Sequence, residues 1–417
     1  VDKHTVDGER PVSLCNYTDV YYRDWITADI DFMSATATET EIERFSLRVG
    51  DTIFTKDSET ADDIGVAALV VEELPGVVCG YHLSIARPRK RAFGGYIKRF
   101  FDSTYAKAMF ETRANGLTRV GLGQYAVDNV PIPVPPLDEQ RAIARFLDRE
   151  TGKIDALVEE QRRLIALMKE KRQAVISHAV TKGLDPTAPL KPSGTDWLGD
   201  IPAHWGVSQL RRLVDPRRRV TYGIVQPGQF DPEGRLMVRG QDYSFGWTDP
   251  ANIFRVSVGV EEPYRRARLK NGDLVMTIVG AGTGNTAVVP AYLEGANITQ
   301  TTARIAPRLQ LVNGDFLHWA LVSEVGRMQV ALYQKGAAQP GLNLEHLVAF
   351  RLPLPPIEEQ LAISSYLSSA ITKLDTLISE AETAIGLLQE RRSALISAAV
   401  TGKIDVRGEV PDTTEAA

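Results

Sequence analysis

One stretch of this chain occurs twice, and that repeat limits the possible folds more than any other feature. Residues 133–185 return as residues 353–405 without a gap, a constant shift of 220 positions. Pro135, Pro136, Glu139, Gln140, Ile143, Leu147, Asp155, Leu157, Ile165, Leu167, Arg172, Ile176, Ser177, Ala179 and Thr181 all reappear unchanged. A duplicated element predicts a duplicated architecture, and 417 residues exceed what one hydrophobic core usually organises.

The repeat reads as a long helix. Prolines suit a helix only at its start, and Asp138 and Glu139 favour the positive end of the helix dipole, so the helix begins near Leu137. Only Gly152 interrupts the helical pattern before Lys182-Gly183, where the glycine offers a left-handed cap. Its length is roughly 60 Å at ~1.5 Å per residue. Steps of four and three from Ile143 give Leu147, Glu150, Ile154, Leu157, Gln161, Leu164 and Met168, and the second copy gives Ile363, Leu367, Ala370, Leu374 and Leu377. This predicts a heptad seam, with each helix as the other's partner. The order unit, helix, unit, helix makes the pair antiparallel. The expected fold is α+β: two β-rich units joined by two long helices in an antiparallel coiled coil, a pseudo-two-fold dumbbell.

The β-rich units are expected at 1–132 and 186–352, the helical repeats at 133–185 and 353–405, and a disordered tail at 406–417. Val49–Phe54, Val66–Val71 and Val77–Val78 read as strands because β-branched and aromatic residues cluster between turn formers. Thr104–Arg113 reads as a helix, and Pro131–Pro136 as an extended lead-in. In the second unit, Arg239–Tyr243 stands in the place of the early aromatic stretch, Gly272–Met276 in the place of Gly50–Phe54, and a helix is expected near Phe316–Tyr333. The first unit has no counterpart to Trp197–Trp205, so its opening segment is expected to be missing or supplied from elsewhere.

No apolar run approaches the ~18 residues of a membrane span, and two cysteines, Cys15 and Cys79, fit a reducing cytoplasm without a disulfide. The net charge of −5 gives no global electrostatic attraction to nucleic acid, so any such binding must come from local patches.

Three features together resemble the specificity subunits of type I restriction-modification systems. They are the paired Pro-x-Pro-Pro-Leu/Ile-x-Glu-Gln openings at Pro133–Gln140 and Pro353–Gln360, the Trp197–Trp205 segment, and the Gly336–Asn343 loop. The resemblance implies that the two units are target-recognition domains, each reading one half of a bipartite double-stranded DNA sequence. It also implies that the helices space them and bind two methyltransferase (modification) subunits, with restriction/translocase subunits joining. The chain itself would be non-catalytic and hold no cofactor; S-adenosylmethionine, ATP and Mg would be bound by partner subunits.

With that resemblance, basic clusters become candidate DNA contacts: Arg87, Arg89, Lys90, Arg91 and Lys98 in the first unit, and Arg211, Arg212, Arg217, Arg218, Arg265 and Arg266 in the second. A solvated charged face explains any one cluster; two clusters in matching units of an acidic chain favour DNA. Tyr17, Tyr21, Arg23, Arg239 and Tyr243 are candidates for stacking or base edges, although half-buried strand aromatics explain the tyrosines equally well. Gln300-Thr301-Thr302 and Gln339 are candidates for adenine, although as turn residues they need no function. Two competing readings remain: an enzyme holding a nucleotide or S-adenosylmethionine at Gly280–Asn285, and a scaffold that binds no DNA. The glycines are spaced GxGxG rather than GxGxxG and no clear helix follows, which favours a hairpin turn. The six histidines are too scattered to suggest a metal site.

Overall fold

The structure is a computed structural model that describes residues 1–408 except 196, 245 and 335–340. The chain forms two compact units, Val1–Arg163 with Ala381–Ala417, and Leu164–Glu380. The tail expected at 406–417 and the Gly336–Asn343 loop fall largely outside the described residues.

The repeats are helices of 46 and 44 residues, Leu137–Lys182 and Ile357–Val400. Acidic residues occupy both first turns, Asp138 and Glu139 in one and Glu358 and Glu359 in the other. Just beyond the last turns, Gly183 (φ +77°) and Gly402 (φ +71°) take the left-handed conformation that L side chains resist.

Each unit contains part of both helices, paired antiparallel. In the first unit Arg392 Nε donates to Asp155 Oδ1 at 2.9 Å, and in the second Arg172 Nε donates to Asp375 Oδ1 at 3.0 Å. These are the same two residues of the repeat with the helices exchanged. The seam differs from the expected heptad. Ile143, Ile154, Ile165 and Ile176 are all buried, at intervals of eleven, whereas Leu157 and Leu164 are 51% and 43% exposed. Eleven residues in three turns is about 3.67 per turn, on the other side of 3.6 from a heptad's 3.5, so the buried stripe drifts onto Val158 and Ile165 instead. In the second helix Ile363, Leu367, Ile371, Ala381 and Ile396 are buried, and Leu377 is exposed.

Each unit also carries two small sheets of the same plan. In the first unit, Arg10–Cys15 lies between Met33–Ala37 and Val77–Cys79, antiparallel to one and parallel to the other. In the second, Arg235–Val238 lies between Arg255–Val256 and Asn297–Ile298 with the same senses. The other sheets are centred on Thr52–Thr55 and Leu274–Thr277, entirely buried strands that accordingly lack any charged residue. Neighbouring strands include Ala67–Val70 and Leu83–Ala86 in the first unit, Thr286–Val288 and Thr302–Ile305 in the second.

The helix expected at Phe316–Tyr333 is two helices, Gly314–Val322 and Glu324–Tyr333, broken where Ser323 turns to ψ 170°. Its counterpart in the first unit is Gly94–Phe101 and Thr104–Glu111, broken at Ser103. The sequence reading missed Gly94–Phe101 because its two glycines lower helix propensity; burial of Tyr96, Phe100 and Phe101 compensates. The second helix of each pair is capped from a long helix: Thr104 N donates to Ser397 Oγ and Glu324 N to Ser177 Oγ, both at 2.9 Å.

The proline lead-ins differ. Arg351–Leu354 pairs with Gly206–Gln209, which buries Leu352 and Pro353. No described strand pairs with residues 131–136, and Ile132 and Val134 are exposed. Cys15 and Cys79 sit opposite each other on parallel strands as free, buried thiols. Among the described residues no helix is long and apolar enough to cross a membrane.

Candidate nucleic-acid interface

The two units share a second correspondence, independent of the long helices. In the first unit, strand Arg10–Cys15 ends at Asn16, whose N–H donates to Asp19 Oδ2 at 2.7 Å and starts the helical turn Tyr17–Tyr21. In the second, Arg235–Val238 ends at Arg239, whose N–H donates to Asp242 Oδ2 at 2.8 Å and starts the turn Gly240–Asp242. The parallel neighbour of each strand then leads into an exposed turn. Gly80 N donates to Cys15 O at 2.9 Å, and Thr299 N to Val238 O at 3.2 Å. A Cβ on Gly80 would stand 2.7 Å from the Cys15 carbonyl, so glycine is required for that approach. The first bond brings Tyr81-His82 to the end of the strand from which Tyr17–Tyr21 starts, and in the second unit Gln300-Thr301 line one concavity with Arg239, Gln241 and Ser244.

Unrelated side chains furnish this common frame. In the first unit Tyr17 stacks on Tyr21 with ring centroids 5.3 Å apart, and the Tyr21 hydroxyl donates to Asp63 at 2.7 Å. That hydrogen bond, followed by burial, pushes the Tyr21 hydroxyl up to about 12. His82 Nδ1 lies 2.9 Å from Asp57 Oδ2, and the Lys56 ammonium sits 4.5 Å from the Tyr81 ring centre. In the second unit the frame borders a concavity of about 480 Å³, where Arg239, Gln241, Ser244, Gln300 and Thr301 present a polar wall. Arg239 is held by Asp242 and covers the Phe254 ring at 5.6 Å.

The sequence-derived candidates divide on this geometry. Tyr17, Tyr21, Arg23, Arg239 and Gln300 lie on or beside the frame, with Arg23 exposed next to Asp19. Tyr243 is buried at 5% exposure, its hydroxyl 2.8 Å from Thr277 Oγ1, so it supports the frame and meets no ligand. Lys98 is buried as well: its ammonium binds Asp24 and Asp102 at 2.6 and 2.8 Å, which removes it from any phosphate. Arg87 and Arg218 are tied to buried carboxylates, Asp51 and Asp273, and each also donates to a nearby carbonyl, Ser46 O or Arg268 O. Both act as structural clasps, reached from different places in the chain.

Arg89, Lys90 and Arg91 are exposed, and among the described residues no carboxylate pairs with them. They follow strand Leu83–Ala86, whereas Tyr81-His82 precede it, so the basic turn and the frame occupy opposite ends of one strand. Its counterpart in the second unit is Leu309–Leu311, so the two basic clusters are not equivalent. Arg211, Arg212, Arg217 and Arg266 are exposed outside the frame; Arg265 is exposed and pairs with Glu262 at 3.2 Å. Gln339 lies outside the described residues.

Sequence reading missed Tyr81, His82 and Gln241. The signal was the short buried strand ending just before each turn, Val77–Cys79 and Asn297–Ile298, which acquires meaning only once the strands are paired. The Gly280–Asn285 stretch joins the antiparallel strands Leu274–Thr277 and Thr286–Val288 as a hairpin turn, with Gly284 N donating to Thr277 O at 2.8 Å. This gives no support to a nucleotide-binding reading.

Comparison with known proteins agrees with this arrangement. The type I restriction modification DNA specificity domain matches residues 12–165. The EcoBI specificity subunit of Escherichia coli is 29% identical over 325 residues, covering 76% of this chain and 68% of the relative. Over most of its length this chain is similar to the specificity subunits of type I restriction-modification systems. A second relative, the EcoKI specificity subunit of Escherichia coli K12, is 22% identical over 81% of this chain and 71% of its own. The fold of this chain is similar to that of a chain from a type I R-M system solved to explain complex assembly and conformational transition. That chain is 20% identical with a TM-score of 0.68, covering 86% of this chain and 83% of its own. The HsdS subunit of Thermoanaerobacter tengcongensis is 18% identical with a TM-score of 0.55, covering 95% and 92%.

Proposed function

We propose that this chain is the DNA sequence-specificity subunit of a type I restriction-modification complex. Each β-rich region, 1–132 and 186–352, reads one half of a bipartite, asymmetric target. The helical repeats, 133–185 and 353–405, set the spacing of the half-sites. The observation that carries this reading is the shared frame with different side chains: Tyr17, Tyr21, Tyr81 and His82 in one unit, and Arg239, Gln241, Gln300 and Thr301 in the other. Scaffolds of one plan with unlike surfaces suit two different half-sites, because groove edges are read by side-chain donors and acceptors held on a fixed backbone.

The helices also supply docking surface. Leu157 and Leu387 are 51% and 61% exposed in the first unit, and Leu377 and Leu167 are 49% and 53% exposed in the second. The second pair is the first with the helices exchanged, so each unit offers the same apolar patch, which suits two copies of one partner, the methyltransferase subunit. Restriction subunits join that assembly. Methyl transfer and ATP-driven cleavage belong to these partner chains, which bring S-adenosylmethionine, ATP and Mg, and the complex works on double-stranded DNA in the cytoplasm.

The deciding experiment maps methylated positions in DNA from cells that carry this chain with its neighbouring genes. A motif of two unlike half-sites separated by unread bases is expected. A single uninterrupted motif, or methylation of DNA by the purified chain alone, would overturn the proposal.

A further inference from the structure

The two-residue turn after the outer, parallel strand of the three-stranded sheet is exposed in both units and carries unlike side chains. Tyr81 is 63% exposed and the His82 side chain 44%, while Gln300 is exposed, and no hydrogen bond engages its amide among the described residues. The backbone beneath is fixed by the Gly80–Cys15 and Thr299–Val238 bonds. A base-reading group needs this combination: a rigid support, and donors or acceptors not already spent within the protein.

We propose, on the reading that each unit meets one half-site, that His82 and Gln300 are the principal base-discriminating side chains of their respective units. The chemistry assigns a preference to each. A carboxylate only accepts, so Asp57 fixes a proton on His82 Nδ1, and the uncharged tautomer with that proton presents Nε2 as an acceptor. That acceptor suits an exocyclic amine, adenine N6 or cytosine N4, and Tyr81, backed by Lys56, supplies an adjoining aromatic face. Gln300 carries an amide donor and acceptor side by side, which matches adenine N6 and N7. The Thr299 and Thr301 hydroxyls lie 2.8 Å apart and bond each other, which leaves Gln300 between them as the available reader.

The test uses the whole chain expressed with its partner subunits and compares methylated motifs for the unsubstituted chain, His82→Ala and Gln300→Ala. Each substitution is expected to relax one or two adjacent bases in one half-site only, the two substitutions in opposite halves, with discrimination falling roughly 5- to 150-fold. The base freed by His82→Ala should be adenine or cytosine, and the base freed by Gln300→Ala should be adenine. Gln300→Glu should shift preference towards cytosine, whose N4 amine donates to a carboxylate. Unchanged motifs, or equal relaxation in both halves, would overturn the assignment while leaving the specificity-subunit reading intact. Failure of the unsubstituted chain to give any bipartite motif would strike that reading instead. A variant that abolishes methylation is assayed by binding of the purified complex to a panel of duplexes, where equal weakening on every sequence counts against a base-reading role.

Discussion

Gln140 and Gln360 make the same three hydrogen bonds in the two halves of the chain. Gln140 accepts from Phe93 N at 2.8 Å and donates to Arg91 O and Pro135 O at 2.9 and 2.8 Å. Gln360 accepts from Asn313 N at 2.7 Å and donates to Leu311 O and Pro355 O at 3.2 and 2.8 Å. Both side chains are fully buried, so each long helix is riveted through its first turn to the loop before a recognition-unit helix. Truncation leaves buried amide and carbonyl groups unpaired, at about 1–3 kcal/mol per group. Gln140→Ala and Gln360→Ala are each expected to lower stability by about 2–4 kcal/mol, by similar amounts, in denaturant unfolding. A neutral effect at either site would contradict the equivalence.

The basic candidates separate into a surface and a core test. Arg89→Ala should reduce the slope of log affinity against log salt by about one for DNA binding by the assembled complex, with little change in stability. An unchanged slope would assign the Arg89–Arg91 turn to a protein partner. Lys98→Ala should instead destabilise the first unit by about 3–5 kcal/mol, because Asp24 and Asp102 lose the cation between them.

Acid should weaken the second unit at a defined place. Burial alone would raise the Glu261 carboxyl, but hydrogen bonds from Arg268 and Asn297, with the charge of Arg235 nearby, hold it below its ordinary value of 4.5. A depressed folded value means that the unfolded chain binds the proton first. The contribution is therefore fully present above pH 4.5 and is lost as the pH falls through the lower folded value. Glu261→Gln should flatten the acid limb of the unfolding profile; a limb of unchanged steepness would exclude Glu261 as its source.

Partner docking can be separated from folding at the exposed leucines. Leu157→Asp and Leu377→Asp lie off the buried seam, so unfolding should shift by less than about 1 kcal/mol. Each should remove one methyltransferase subunit, and the double variant both, as read by the mass of the assembled complex. Full assembly by the double variant would rule out this patch.

Much of the architecture was legible because it is local. The helix start at Leu137 follows from prolines and acidic residues within one turn, its end from Gly183, and the duplication from letter identity alone. Strands Thr52–Thr55 and Ala67–Val70 follow from β-branched runs between turn formers. The choice between Leu157 and Val158 as seam residue did not follow, since adjacent apolar residues satisfy rhythms of seven and eleven equally until a facing helix selects one. Basic clusters were similarly ambiguous: Lys98 and Arg89 look alike in sequence, and only the arrival of Asp24 and Asp102 around Lys98 makes it a core residue.

The sequence by itself determined that this protein has two like halves, each ending in a long helix, because periodicity, caps and repetition are properties of neighbouring residues. Tertiary structure alone decided which side chains remain available for recognition. Tyr81 and His82 are far from Tyr17 in the chain and reach the same end of the sheet only through the pairing of strands Arg10–Cys15 and Val77–Cys79. The frame is thus a product of long-range backbone hydrogen bonds, which specify geometry without specifying side chains, and that freedom is what lets one scaffold carry two different surfaces.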